Sequence, residues 1–438
     1  MNILGIVAYT LGYGDSSAAL SVGGEIVGII EEERLSRRRY DDSFPEKAIR
    51  SLLKMGNISG DKIDLVSLHL HPYRGIERRL YWAVRYPWST LNNSKDFLRY
   101  YRKYGNLNEE LQRVLDNKRF RSECYPHHQC HAAAAFYSSG FDRAAYLTID
   151  GAGEGITGSI GTANRSHGLK VLRNFPYPHS LGMAYSAISD YLGFPPPAGP
   201  AKIMGLAPYG DPQRYLPLMR EIIGFDKGTI RLELDYFIFH KNLVTPLLRK
   251  PWVSQKFVTK AGFIRRNSSI SLERLHMDLA ATLQARTNEI GCIIARFAAQ
   301  ETKEKKLCMG GGVALNSVMN GAIVSAGIFE DVYIQPAAGD SGNALGSLYL
   351  ASVAHNQGVP SFNRLPYAGP EFTDEQIERE LKRYKLNYIR SDNVALEAAK
   401  AIKKGLIIGW FQGRMEYGPR ALGNRSILAD PQRKDMRD

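Results

Sequence analysis

The stretch Ala144-Ala145-Tyr146-Leu147-Thr148-Ile149-Asp150-Gly151 decides how the rest of the chain is read. An apolar, partly β-branched run that stops at Asp-Gly is a buried strand ending in a turn. Gly155 to Thr162 alternates as the returning strand, and Leu169 to Phe175 makes a third. The same plan stands at the N-terminus. Ile3 to Ala8 is a short apolar run, Gly12 to Ser16 is rich in turn residues and holds Asp15, and Ser17 to Ser21 returns. Gly23-Gly24 then turns the chain into Glu25 to Glu31. Each unit leaves one aspartate beside glycines at the end of a buried strand.

Two further strands carry different punctuation. Lys306-Leu307-Cys308-Met309 runs into Gly310-Gly311-Gly312, after which Val313-Ala314-Leu315-Asn316 begins a helix. Val332-Tyr333-Ile334-Gln335 runs into Pro336-Ala337-Ala338-Gly339-Asp340-Ser341-Gly342-Asn343. Repeated strand–Asp–Gly hairpins with a strand–glycine–helix step predict an α/β fold of two related lobes around a cleft. This is the duplicated, two-lobed ATPase-type plan of actin-like and sugar-kinase-like proteins. Asn267 to Phe297 has long helical periodicity and is expected in the core. Gly358-Val359-Pro360 to Thr373 reads as a linker. Beyond it, two helical stretches precede Leu406-Ile407-Ile408-Gly409-Trp410-Phe411, read as a buried strand. The expected organisation is a domain over 1–357, a linker over 358–373 and a second domain over 374–438.

Composition narrows the class. A chain of 438 residues with 44% hydrophobic and 23% charged residues buries a sizeable core without disulfides or structural metal. Disordered, collagen-like and disulfide-scaffold classes are excluded. Cys124, Cys130, Cys292 and Cys308 show no paired C-x-x-C spacing. The first residues lack the basic start of a signal peptide, and no run reaches the ~18 apolar residues of a membrane span. A soluble cytoplasmic protein without a membrane partner is expected. Fifty-seven Lys and Arg against 44 Asp and Glu leave +13, which favours anionic partners. Residues 74–122 are basic and aromatic (Arg78, Arg79, Tyr81, Trp82, Arg85, Tyr86, Trp88, Tyr100, Tyr101, Arg102, Lys103). They read as a helical insert with a solvated basic face in preference to an RNA-facing surface.

The sharpest chemical signal is His127-His128-Gln129-Cys130-His131, followed by Ala132 to Phe136. His127 and His131 lie four residues apart, so on a helix their rings share one face. Position 128 is His, so the general base of the helical zinc-protease motif is missing. Two imidazoles joined by carboxylates suit Fe(II), Zn or Mn. Asp15, Asp150 and Asp340 each border a strand among Gly and Ser. One such aspartate is ordinarily a turn residue, whereas three in a repeated frame read as cleft carboxylates. The Gly310-Gly311-Gly312 run matches neither a Rossmann nor a P-loop spacing but allows close backbone approach to a nucleotide. Arg414, Arg420 and Arg425 flank Tyr417-Gly418-Pro419, and their guanidinium forks suit phosphate as well as a solvated rim.

Read together, these segments resemble the O-carbamoyltransferases of nodulation-factor and antibiotic biosynthesis. The resemblance is carried by Asp15 to Leu20, Glu31-Glu32-Glu33-Arg34, Phe44-Pro45, His127 to Phe136 and Asp150-Gly151. It continues through Pro178 to Gly182, Met204 to Gly210, Gly311 to Asn316, Gln335 to Asp340 and Arg414 to Ser426. It implies an N-terminal domain similar to tRNA threonylcarbamoyl-transfer proteins, followed by the start of a YrdC-like α/β domain. In that family carbamoyl phosphate and ATP give a carbamoyl-adenylate, whose carbamoyl group passes to a hydroxyl of a small-molecule or sugar acceptor. By likeness, His127, His131, Asp150 and Asp340 hold Fe(II) or a similar divalent ion, and Mg accompanies ATP. Lys202, Gly311, Gly312, Asn316 and Asn343 line the nucleotide, and Arg420, with Arg414 and Arg425, meets carbamoyl phosphate.

Two departures qualify the likeness. The family carries His before the first-hairpin aspartate, where an imidazole accepts the acceptor's proton; here that position is Gly14. Either Asp15 or His128 then takes the base role, or transfer is impaired. Pro200-Ala201-Lys202 also replaces the usual Glu-Tyr-Lys. Family members continue past residue 438, so the YrdC-like part is expected to be incomplete. The expected protein partner is a second copy or a chain supplying that part. The alternatives are a tRNA threonylcarbamoyl-transfer-like enzyme, for which nucleic acid is the disfavoured partner, and a non-catalytic nucleotide-binding remnant.

Overall fold

The computed structural model describes residues 1–10, 14–71, 73–87, 95, 98, 101–241, 252–362 and 365–437. Strands β1 (Ile3–Val7), β2 (Ser17–Val22), β3 (Glu25–Glu31), β4 (Leu65–Leu68) and β5 (Arg121–Cys124) form one sheet in the order β3-β2-β1-β4-β5. The first three run antiparallel as consecutive hairpins, and β4 and β5 add in parallel. Strands β6 (Arg143–Gly153), β7 (Ile156–Asn164) and β8 (Gly168–Pro176) repeat the hairpins. A small ribbon of β9 (Ile223–Asp226) and β10 (Thr229–Leu232) follows. Then β11 (Lys306–Gly310) and β12 (Asp331–Ile334) complete a second sheet, in the order β12-β11-β6-β7-β8. The two orders are the same plan twice. The duplicated, two-lobed α/β fold read from the hairpins is therefore what the chain forms.

The repeat extends past the sheets. In the first, β5 leads into the helix His127–Ser138; in the second, β12 leads into the helix Asn343–Ala354. These helices pack on each other and on the sheets with backbone nearly in contact. A Cβ on Gly346 would overlap the Cys130 carbonyl oxygen, and one on Gly5 in β1 would overlap that of Ala344. On the other side, a Cβ on Gly310 in β11 would come within 2.9 Å of the His131 carbonyl oxygen. Ser67 and Ser347 join their hydroxyls at 3.1 Å where the second helix crosses β4. Small residues thus bring the beginnings of two helices and the ends of two central strands to one place.

Several boundaries differ from the sequence reading. The core helix runs Arg274–Thr302, seven residues later than expected at its start, because Glu273 and His276 cap it reciprocally. Val313 to Asn316 does not begin an α-helix. Gly312–Leu315 is a 3₁₀ turn, and the helix Ser317–Ser325 starts after it with the Asn316 side chain capping the Met319 N–H. Part of the basic 74–122 stretch is not an insert, since it supplies β5. Its described helices include Ile76–Arg85 and Leu107–Leu115. Trp88, Tyr100 and Gly12 lie outside the described residues.

Packing divides the chain into Met1–Phe362 and Asn363–Asp438. In the second unit, Gly369 donates its N–H to Met415, Met415 to Pro370, and Tyr417 to Pro366. Residues 366–370, expected within the linker, are thus built into that unit. Strand β13 (Ile408–Phe411) pairs only with β14 (Arg425–Leu428) among the described residues. The buried strand expected over Leu406 to Phe411 is not found: Leu406, Ile407 and Phe411 are 56, 65 and 53% exposed. A two-stranded ribbon has no neighbours on its outer edges to cover alternate side chains.

The close helix packing predicts a steep cost for one methyl group. Gly346→Ala should lower unfolding free energy by about 3 kcal/mol, because a backbone carbonyl must move. Gly205→Ala, in the helix Gly199–Leu206 with open space around its Cα, should be neutral or stabilising by up to ~1 kcal/mol. Urea unfolding of both variants measures the contrast.

Candidate metal centre

Pro126 stops upstream helix, and the alanines from Ala132 to Ala135 favour helix after it, so His127 opens a helix and His131 sits one turn on. The two Nε2 atoms stand 3.2 Å apart. Asp150, at the irregular end of β6, places Oδ2 3.0 Å from His127 Nε2 and 3.5 Å from His131 Nε2. Asp340, just ahead of the helix Asn343–Ala354, places Oδ1 3.5 and 3.2 Å from the same two atoms. One ligand atom from each of the four residues lies within 4.8 Å of the others. The second Asp150 oxygen is held by the Gly312 N–H at 3.0 Å. Asn343 Nδ2 lies 3.2 Å from His131 Nε2.

Two nitrogen and two oxygen donors of this kind suit a divalent transition ion. The hydrogen bonding points the same way. A single ring hydrogen on His131 cannot serve His127, Asp150 and Asp340 together, and the Asn343 amide nitrogen beside it is itself a donor. Among the described residues, Asp340 Oδ1 is buried without a hydrogen-bond donor. A cation at the convergence satisfies all four ligands, so the residues present fit a metal.

Protonation follows from the same crowding. Burial opposes the charge on His131, yet the Asp150 and Asp340 carboxylates beside it raise its pKa to about 9. Burial likewise opposes ionisation of Asp150, but the His127 and His131 imidazoles hold it well below the usual carboxylate range. Asp340 is lowered too, against burial and the Asp150 charge, by the same histidines. Asp15 goes the other way. Burial, then the charges of Asp340, Glu31 and Asp150, push its pKa well up. Three carboxylates therefore face one cleft.

The remaining expected site residues separate into groups. His128 is turned away from the cluster, its Nδ1 3.0 Å from Thr148 Oγ1 and its Nε2 3.1 Å from the Ile156 carbonyl oxygen. Burial lowers its pKa to about 3. With both nitrogens engaged it is poorly placed as a base. Gly14 has φ +79°, and a Cβ there would overlap the Tyr40 backbone, so no imidazole fits at that position. Gly311, at φ +89°, packs on the Ile149 carbonyl, and a Cβ on Gly312 would press on Asp150 Oδ1. The glycine run thus has a reason within the fold. Asn316 pairs its amide with Gln284 at 3.0 Å. Lys202 is exposed, its ammonium 5.9 Å from the Phe194 ring, and is not among the four ligands. In the second unit, Arg414 donates to the Gly369 and Ala368 carbonyls. Arg425 donates to those of Gln412 and Gly413 and stacks 3.5 Å over Phe411. Only Arg420 of the three stands exposed.

Two residues at the site escaped the sequence reading. His69 follows β4, is buried, and its ring lies 5.8 Å from that of His127. The repeat itself signals it, since β4 occupies the place of β11 and His69 that of the glycine run. Glu154 accepts the His127 N–H; its spacing four residues after Asp150 was the available clue.

Buried neutral His128 carries a pH prediction. Its folded pKa lies below the unfolded 6.5, so its contribution is complete above pH 6.5 and is lost as pH falls toward about 3. Between pH 7 and 5 this one residue should cost about 2 kcal/mol. Urea unfolding of His128→Asn should show a pH dependence shallower by that amount; an unchanged slope contradicts the assignment.

Comparison with known proteins identifies the family. Residues 2–348 match the family described as carbamoyltransferase N-terminus, and residues 399–438 match carbamoyltransferase C-terminus. An uncharacterized protein of Synechocystis is 36% identical over 99% of this chain and 72% of its own length. Nodulation protein NolNO of Sinorhizobium fredii is 34% identical over 97% of this chain, which spans 59% of that protein. The 3'-hydroxymethylcephem-O-carbamoyltransferase of Streptomyces clavuligerus is 27% identical over 65% of this chain and 50% of its own length. With one family model matched from residue 2 to residue 348, and its C-terminal counterpart from residue 399, the chain belongs to the carbamoyltransferase family.

Proposed function

We propose that this chain serves O-carbamoyl transfer, from carbamoyl phosphate and ATP by way of carbamoyl-adenylate to a hydroxyl of a small-molecule or sugar acceptor. The observation that carries the reading is the convergence of His127, His131, Asp150 and Asp340 where the two repeats meet. Fe(II) or a similar ion held there supplies Lewis-acid polarisation of carbonyl and phosphate oxygens. The chain's own residues do the rest. The Gly312 N–H orients Asp150. Gly311, Gly312, Asn316 and Lys202 border the nucleotide. Burial of the cluster keeps water from the activated carbamoyl group.

With His128 engaged by Thr148 and Ile156 and no room at Gly14, the acceptor's proton passes to Asp15. Burial and the nearby charges of Asp340, Glu31 and Asp150 raise its pKa, which makes its carboxylate the stronger base. The second unit is read as part of a YrdC-like fold in which Arg420 meets carbamoyl phosphate and Mg accompanies ATP. Cytoplasmic placement is part of the same reading. Among the described residues, no helix is long and apolar enough to cross a membrane.

Two outcomes test this. Elemental analysis of purified protein should find about one equivalent of Fe, Zn or Mn, lost in His131→Ala and Asp150→Asn; metal-free wild type contradicts the centre. Asp15→Asn should retain the metal but lower carbamoyl transfer about 10²–10⁴-fold, read by mass spectrometry of the acceptor. Undiminished transfer removes Asp15 from the role of base.

A further inference from the structure

The tip of the β6–β7 hairpin touches His127 at both ring and backbone. A Cβ on Gly153 would overlap the imidazole, so the hairpin backbone lies flat against the ring. The next residue, Glu154, takes left-handed backbone at φ +54°, uncommon for a side-chain-bearing residue. Its side chain is 5% exposed. Oε2 accepts the His127 backbone N–H at 3.0 Å, and Oε1 accepts the His71 N–H at 2.7 Å. Arg74 Nη1 stands 3.4 Å from both oxygens. A Cβ on Gly75 would come within 2.6 Å of the Glu154 carbonyl oxygen. The hairpin tip is therefore clamped between the metal-ligand helix and the segment that leads into the basic helix Ile76–Arg85.

His127 is the first residue of its helix, and the preceding Pro126 provides no side-chain cap. Glu154 supplies from another element the acceptor and the negative charge that a helix start lacks. A metal-bound imidazole is ordinarily oriented through its second nitrogen. Here His127 Nδ1 is buried without a hydrogen-bond partner among the described residues. The direction of the ring thus rests on the helix start and on the hairpin tip.

We propose that Glu154 is the positioning residue for His127, and that it couples His71 and Arg74 to occupation of the metal centre. The inference rests on the metal reading above. By linkage, binding at the centre steadies the segment, and displacement of the segment weakens binding by the same factor.

The test uses Co(II) as the probe on the full chain. Titration is followed by the ligand-field absorption bands, and backbone hydrogen exchange is read at His71 and Arg74. In the wild type, Co(II) should slow exchange at both residues. Glu154→Ala should weaken Co(II) binding about 10–100-fold, shift the bands and abolish that protection. Glu154→Gln keeps one acceptor oxygen and should lie between. Variants that lose stability but keep the bands and bind Co(II) within about threefold of wild type overturn the proposal. If Glu154→Ala does not fold, wild-type exchange decides, and no Co(II)-dependent change at His71 or Arg74 overturns it. Failure of the wild type to bind Co(II) overturns the metal reading and this inference with it.

Discussion

Two imidazoles and three carboxylates share a cleft largely removed from water, and the surrounding architecture answers to that concentration of charge. His127 and His131 hold the Asp150 and Asp340 carboxyls below the usual carboxylate range, whereas burial and its acidic neighbours push the pKa of Asp15 up. A proton shared by the histidines is a partial answer. A divalent ion is a fuller one, because it offers every ligand a partner at once. Such a group holds its geometry only if its carriers do not move. The carriers are two helix starts and the end of a central strand, locked by the close approach of Gly346 to Cys130 and of Gly5 to Ala344.

The duplication explains why a site forms at this place. Each repeat ends its fifth strand in a helix, and each helix brings polar groups at or before its first turn. The pseudo-symmetry is one of backbone and not of chemistry. One helix carries histidines and the other follows an aspartate, while His69 and the glycine run occupy matching positions with different roles. Glu154 extends the unit outward from the metal ligands to the chain ahead of the helix Ile76–Arg85.

Much of this was legible from local pattern. The hairpins and their aspartates follow from apolar runs ending at Asp-Gly, and the His127–His131 pairing follows from helical pitch. What pattern does not carry is partnership across the fold. Thr148 and Ile156, far from His128 in sequence, decide that it is not a free base. Packing against Ile149 and Asp150 gives Gly311 and Gly312 a role within the fold, beside the nucleotide approach that a glycine run between strand and helix suggested. The Asn316 cap turned an expected helix start into a 3₁₀ turn. The resemblance pairs Arg414 and Arg425 with carbamoyl phosphate, whereas what the fold adds is that both guanidinium groups donate to backbone carbonyls. The apolar run at Leu406 read as buried because hydrophobicity cannot show whether a ribbon gains further strands.

X-ray absorption fine structure at the metal edge of protein loaded with Fe(II) under exclusion of oxygen tests the central claim most directly. The account predicts a first shell containing two imidazole nitrogens and carboxylate oxygen at roughly 2.0–2.2 Å, with one imidazole lost in His131→Ala. A shell of oxygen alone, or one unchanged by that substitution, contradicts it.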